Sequence, residues 1–266
     1  MKKTLLILFP LLLASCGNTR YLLKEGQTDL LIAVSPTPHG LIIEEAARLL
    51  EDDGYSISIR EFNDYVLPNS ATEYGDVDAN FFQHLPYLED FNLNNKTHLV
   101  SVGAVHYEPL GLYAGKTDRL DSLQNGARIA VPNDKTNEAR ALLLLEELGL
   151  IEIKNDAGLN ATKLDIISNP KNLDIIELEA AQIARSLDDV DFGVINGNYA
   201  LSASLPTALA LESASSLAAT TFANILVVRD GNQNHPAIVA LAETLKSDAI
   251  KSYITQTFGD AVVPVR

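Results

Sequence analysis

LLIAVSPTPHGLIIEEAARLLEDDGYSISIREF, residues 30–62, reads as strand, helix, strand. Leu30 to Ser35 is a short apolar run of the length a buried strand uses. From His39 to Asp53 the residues Ile42, Ile43, Ala46, Leu49 and Leu50 fall on one helix face, and Gly54 offers a C-terminal cap. Ser56 to Phe62 then sets Ile57 and Ile59 against polar neighbours, the period of a strand. A βαβ start of this kind implies a parallel sheet covered by helices and joined by a right-handed crossover.

The same grammar restarts mid-chain. Ala127 to Pro132 is strand-like, Asn133 or Thr136 can cap a helix that runs through Leu148, and Gly149 stops it. Lys163 to Ile167, Leu173 to Leu178 and Val190 to Asn196 read as further short strands, with a helix over Ala180 to Leu187. Asn224 to Arg229 is another strand, and two helices fit Pro236 to Phe258. Two βαβ starts predict two α/β lobes. No repeat of the solenoid kind and no low-complexity tract interrupts them.

The chain opens with Lys2 and Lys3, an apolar stretch from Leu5 to Leu13, and Leu13-Ala14-Ser15-Cys16. A positive start, a short apolar run and small residues before a cleavage point make a secretory leader over residues 1–15. The run falls short of the roughly 20 apolar residues a membrane span needs. Cys16 is the only cysteine, so no intrachain disulfide can form, and residues 16–28 read as a tether. Loss of the leader removes two lysines, leaving 18 basic against 35 acidic side chains, and the charge moves from −15 to −17. So acidic a body is repelled by nucleic-acid phosphates and anionic headgroups, which excludes nucleic acid as a partner and confines membrane contact to an N-terminal lipid.

Enzymatic and metal motifs fail one by one. Asp76-Val77-Asp78-Ala79-Asn80 starts like a calcium loop, but Phe81 stands where glycine is needed and Tyr87 where glutamate is. The five histidines (39, 84, 98, 106 and 235) include no pair at metal-ligand helical spacing. Phosphate-binding glycine loops and the G-x-S-x-G elbow are missing from the sequence, so no cofactor is expected.

Two stretches are richer in aromatic and amide groups than a plain core requires: Phe62-Asn-Asp-Tyr-Val-Leu-Pro-Asn69, and Asp76 to Tyr87. Tyr65, Phe82, His84 and Tyr87 could line a cavity for a flexible apolar or thioether chain, with sulfur–aromatic contacts of about 0.3–1.5 kcal/mol each. Ordinary core packing is the competing reading, since aromatics are usually inside. Arg140 falls in the early turns of the helix predicted after Pro132, where anions are welcome and a guanidinium can clamp a carboxylate. The bland alternative is a surface pair with Glu138, Thr136 and Asn137 offering it no partner. Asn196, Asn198 and Tyr199 follow a strand end, and Asn224 interrupts an apolar run, so its amide must find a partner.

With these phrases in place the chain closely resembles the methionine-binding lipoproteins of the MetQ/NlpA type, solute-binding components of ABC importers. Ala130-Val-Pro-Asn-Asp134, Asn169-Pro-Lys-Asn-Leu173 and Arg185-Ser-Leu-Asp-Asp189 extend the likeness over nearly the whole chain. The resemblance implies an α/β fold of the periplasmic-binding-protein type II kind: two lobes, a ligand cleft and two hinge crossings. The first lobe would comprise 29–112 with 223–266 and the second 113–222, with crossings near Tyr107 to Tyr113 and Ala219 to Ala223. It further implies that Tyr65, Phe82, His84 and Tyr87 hold the ligand side chain, Arg140 its carboxylate, and Asn196 and Asn224 its head group. Cys16 would carry the lipid, in a bacterial envelope, facing the periplasm or exterior. The implied partners are a methionine-like small molecule and an ABC permease with its ATPase, the protein itself being a monomer. His106 and Glu108 stand where some relatives carry aromatic residues, which bears on the choice among L-methionine, D-methionine and methionyl peptides. An enzyme on the same scaffold, using His84, His106 or Glu108, is the alternative from another class, and a surface adhesin is a third.

Overall fold

The computed structural model describes residues 22–213 and 220–265. The leader and Cys16 lie outside the described residues, and so does Ala219, where the second crossing was expected to begin.

Two sheets organise the described residues. The first contains β1 (Asp29–Val34), β2 (Ser56–Glu61), β3 (Ala79–His84), β4 (Leu99–Tyr107), β12 (Asn224–Arg229) and β13 (Val263–Pro264), in the order β13-β4-β12-β3-β1-β2. The second contains β5 (Gly111–Ala114), β6 (Arg128–Pro132), β9 (Asp174–Leu178), β10 (Phe192–Ile195) and β11 (Ala210–Leu211), in the order β11-β5-β10-β6-β9. The opening βαβ unit is as read: β1 pairs in parallel with β2, and α1 (Leu41–Leu50) turns Ile42, Ile43, Ala46 and Leu50 onto them. Apolar side chains of α7 (Pro236–Leu245) and α8 (Asp248–Phe258), among them Leu241 and Ile254, complete that core. A second core forms where Leu142 and Leu145 of α4 (Lys135–Glu147) meet Ile129, Val131, Phe192 and Val194.

Neither sheet is purely parallel, contrary to the βαβ expectation. β12 runs antiparallel to both β3 and β4, and β5 antiparallel to β10. The cause is the path between sheets. The chain leaves β4 at Tyr107 and enters β5 four residues later, so it starts the second sheet from the end where the first sheet's strands finish. It returns the same way, inserting β12 between β3 and β4 from that end.

Three local expectations are corrected. Lys163–Asp165 is a 3-10 turn, because Thr162 and Asp165 cap each other; the strand is only β8 (Ile166–Ser168), paired with β7 (Glu152–Ile153) outside both main sheets. The helix predicted over Ala180 to Leu187 is α5 (Ala180–Ile183) followed by a tighter 3-10 segment, Ala184–Asp189. The end of α5 and that segment are both pressed onto β10: a Cβ on Gly193 would sit 2.9 Å from both Ile183 and Leu187. The cap of α4 is Asp134, whose carboxylate accepts the Asn137 amide at 3.0 Å, rather than Asn133 or Thr136.

The start of the described chain is fastened down. Leu23 donates its amide to Asn232 Oδ1 at 3.0 Å, His235 Nε2 bonds the Lys24 carbonyl at 3.0 Å, and the Leu23 side chain packs on the first core. No helix among the described residues is long and apolar enough to cross a membrane.

Candidate functional site

The parallel strands of both sheets point their carboxyl ends at the same gap, the place where open α/β sheets bind ligands. From the first sheet, the turn after β1 delivers His39, the loop after β2 delivers Tyr65, β3 ends in His84, and β4 runs out into Glu108. From the second, β6 leads into α4 with Asn137 and Arg140, and β10 into α6 (Gly197–Ser202), whose N-cap is Asn196. A cavity lies between them, lined from both sides. Tyr65, Phe82, His84, Tyr87, Arg140, Asn196 and Asn224 all line it.

Bulges aim several of these side chains. The pairing of β12 skips Phe82 on β3 and Val105 on β4, while keeping Asn224 opposite both His84 and His106. An extra residue bends a strand and redirects its neighbours, and such bulges recur beside functional sites. Across the cleft end of the first sheet, His84, Asn224 and His106 therefore form one row.

One end of the cavity is aromatic. The Tyr65 ring lies 5.7 Å from Phe82, 5.7 Å from Tyr87 and 5.0 Å from Tyr199, in tilted or edge-on contact. Tyr87 donates its hydroxyl to the Tyr65 carbonyl at 3.0 Å, which fixes the box. Not all the amide-rich sequence serves it. Asn69, Asn80, Gln83 and Thr72 bond one another at 2.6–3.1 Å and lock α2 (Leu67–Glu73) to β3. Of these, only Gln83 also reaches the cavity.

The other end is polar and centres on Asn137, which was expected to offer Arg140 no partner. Its Nδ2 donates to the Asp134 carboxylate. Its Oδ1 accepts from His84 Nε2 at 3.2 Å, Asn196 Nδ2 at 2.9 Å and Arg140 Nη1 at 3.3 Å. Asp134 can only accept and Arg140 can only donate, so every amide orientation in this chain of bonds is determined. His84 Nδ1 accepts the Tyr87 amide as the cap of α3 (Leu85–Asn95), which makes Nε2 the protonated nitrogen. Burial, with the Arg140 charge adding to it, holds the His84 pKa down at about 3.

Arg140 does not pair with Glu138. Its Nε and Nη2 reach the two carboxylate oxygens of Glu212 at 3.3 and 2.5 Å, Nη2 also bonds the Glu108 carbonyl at 3.1 Å, and the guanidinium stacks 4.5 Å from the Phe222 ring. Glu138 instead accepts the Lys163 amide. Burial pushes the Glu212 carboxyl up, but the Arg140 charge and hydrogen bonds outweigh it and the net shift is downward. Glu212 and Phe222 carry no periodic pattern and lie far from Arg140 in sequence, so only the fold reveals them.

Glu108 is another buried acid at this end. Its Oε1 lies 2.8 Å from His106 Nε2 and 3.2 Å from His39 Nε2, and the Asn198 amide also donates to its carboxylate. His39 Nε2 is shared with Asn224 Oδ1 at 3.0 Å, the partner that the buried amide of β12 needed. Burial holds His39 at about 4 and His106 at about 3, so both imidazoles are neutral near pH 7; burial raises the Glu108 carboxyl. Ligand atoms of His39, His106 and Glu108 lie within 4.8 Å of one another, close enough for a metal ion. The surroundings argue otherwise. A metal on each Nε2 would place a proton on each Nδ1, and both Nδ1 atoms are buried without a partner. Metal-bound histidines almost always donate that second N–H. Neutral rings donating Nε2–H to Glu108 leave only lone pairs unmatched.

A family model described as NlpA lipoprotein matches residues 30–266. The D-methionine-binding lipoprotein MetQ of Escherichia coli K12 is 40% identical over 259 residues, covering 95% of this chain and 93% of that protein. Among solved structures, a lipoprotein from Ruminococcus gnavus superposes with a TM-score of 0.89 at 50% identity, over 90% of this chain and all of that one. A nutrient-binding protein from Burkholderia cenocepacia, solved bound to methionine, superposes with a TM-score of 0.83 at 40% identity, over 89% of this chain and all of that one.

Proposed function

The chain belongs to the NlpA lipoprotein family, and from that premise we propose that it captures methionine between its two sheets and presents it to an ABC importer. It is a solute-binding lipoprotein of the cell envelope, and the relatives it matches are named for binding. The observation that carries the methionine reading is the polarity of the cavity: an aromatic box at one end, and at the other a guanidinium beside amide and carboxylate acceptors.

In this reading Tyr65, Phe82, His84 and Tyr87 enclose the thioether chain. Arg140 takes the carboxylate on the Nη1 side, since Glu212 occupies the Nε–Nη2 edge. Asn196 and Asn224 bond the head group. Residues 29–112 with 223–266 act as one lobe and 113–222 as the other, hinged near Tyr107 to Tyr113 and Ala219 to Ala223. A ligand touching both favours the closed form in proportion to its differential affinity. Cys16 carries the lipid, and a monomer docks on a permease driven by its ATPase. Calorimetry with L-methionine, D-methionine and leucine tests the ligand: micromolar or tighter binding of a methionine enantiomer is expected, and absence of heat with both overturns it.

A further inference from the structure

We propose that Glu108, together with Asn196 Oδ1, is the ammonium receptor of this cleft and makes it select ligands with a free amino group over isosteres without one. The proposal rests on the reading of the cavity as an amino-acid site and adds a residue and a selectivity to it.

Two acceptors in the cavity wall lack a donor of the right kind. The first is Asn196 Oδ1. Because Asp134 takes both contacts of Asn137 Nδ2, Asn137 must offer Oδ1 to Asn196, and Asn196 must answer with Nδ2. Its own oxygen is left buried with no hydrogen bond, in a residue only 7% exposed. A buried acceptor left bare costs free energy, and a ligand donor would recover it.

The second is the Glu108 carboxylate, 6% exposed and lining the same cavity. Its contacts are two imidazole N–H groups and one backbone N–H. No lysine or arginine among the described residues forms an ion pair with it. Arg140 is committed to Glu212 and meets Glu108 only at the backbone carbonyl. A buried carboxylate without a counterion is expensive, whereas a cation brought by the ligand would compensate it.

Charge is arranged along the cavity accordingly: guanidinium for a carboxylate, then carboxylate and bare amide oxygen for an ammonium. Gly197 makes room for this. A Cβ there would lie 2.8 Å from Glu108 Cβ and 3.1 Å from its Oε2, so only glycine lets the start of α6 close over the acid.

The test compares L-methionine with 2-hydroxy-4-(methylthio)butanoate and 4-(methylthio)butanoate, by calorimetry, on the wild type, Glu108→Gln and Asn196→Ala, each first checked for cooperative thermal unfolding. The wild type should prefer L-methionine to either analogue by at least about tenfold. Glu108→Gln should lose about 10- to 100-fold in affinity for L-methionine while changing little toward the analogues, which shrinks the preference. Asn196→Ala should shrink it in the same direction and serves alone if the Gln variant does not fold. A preference for the amine that survives in the variants, or an equal loss toward all three ligands, overturns the Glu108 assignment while leaving methionine capture standing. No binding of L-methionine by the wild type overturns both.

Discussion

The Tyr65 hydroxyl donates to Asn198 Oδ1 at 2.6 Å, across the gap between a loop of the first sheet and the helix that begins the second sheet's wall. Two further bonds cross the same gap, His84 Nε2 to Asn137 Oδ1 and the Tyr199 hydroxyl to the Asn63 carbonyl. In the proposed closing of the two lobes, each would contribute to the closed form and nothing to an open one.

Tyr65→Phe keeps the ring in its aromatic box and removes only that bond. Methionine affinity should fall by about 1 kcal/mol, the usual net worth of a hydrogen bond. Calorimetry reads it directly; an unchanged dissociation constant would mean that Asn198 finds water equally well.

Arg140→Ala should weaken methionine binding by about 2–5 kcal/mol, as expected when one member of a buried charged pair is removed. It should also lower the melting temperature of the ligand-free protein, because Glu212 would be left buried beside Tyr107 without its cation. Melting of the variant at the wild-type temperature would show that Glu212 swings out to solvent.

Acid should destabilise the ligand-free protein from about pH 6.5 downward. His39, His84 and His106 have folded pKa values near 4, 3 and 3, all held down first by burial, against 6.5 when unfolded. Between those limits the unfolded chain binds more protons, so stability is complete above pH 6.5 and is lost as pH falls toward 4. Each imidazole contributes at most about 1.4 kcal/mol per pH unit. Glu108 opposes this, since its raised carboxyl takes a proton earlier in the folded state. Denaturant midpoints at pH 7, 6, 5 and 4 should decline with a steepening slope, and His106→Gln should flatten it.

Gly197→Ala should cost about 1–3 kcal/mol in stability, the range for overpacking a tight site, because the new methyl meets the Glu108 stem at 2.8 Å. The accompanying loss of methionine affinity should be larger than that caused by alanine at an exposed position such as Ser202. Equal stability and affinity in variant and parent would mean that α6 shifts without penalty.

Much of this was legible in the chain before folding. The strand–helix–strand of residues 30–62 announced itself because both periods are carried by isoleucine, leucine and alanine on the buried faces. The aromatic and arginine residues stood out for the opposite reason, being more than a core requires. β3 was invisible because all six residues are buried, amides included, and buried amides such as Asn80 and Gln83 break any alternation of apolar with polar. Of the partners of Arg140, Asn137 stands three residues back on the same helix, a spacing that brings side chains together, yet reads from its type as no partner; Glu212 lies 72 residues away and is found only once the second sheet is assembled. Lys163 to Ile167 was misread because a reciprocal Thr162–Asp165 cap overrode its alternation.

The fastening of Leu23 and Lys24 to Asn232 and His235 shortens the leash. With the acyl chains on Cys16 as proposed, seven residue steps separate Cys16 from Leu23, a reach of at most about 25 Å. The body cannot roam over a hemisphere of the size that a tether running to Thr28 would sweep. It is held like a short-chained float, tied at the corner of Asn232 and His235. On the proposed docking, these two hydrogen bonds, remote from the ligand, limit which rim of the cleft can face a permease, and loosening them would widen the range of orientations without touching affinity.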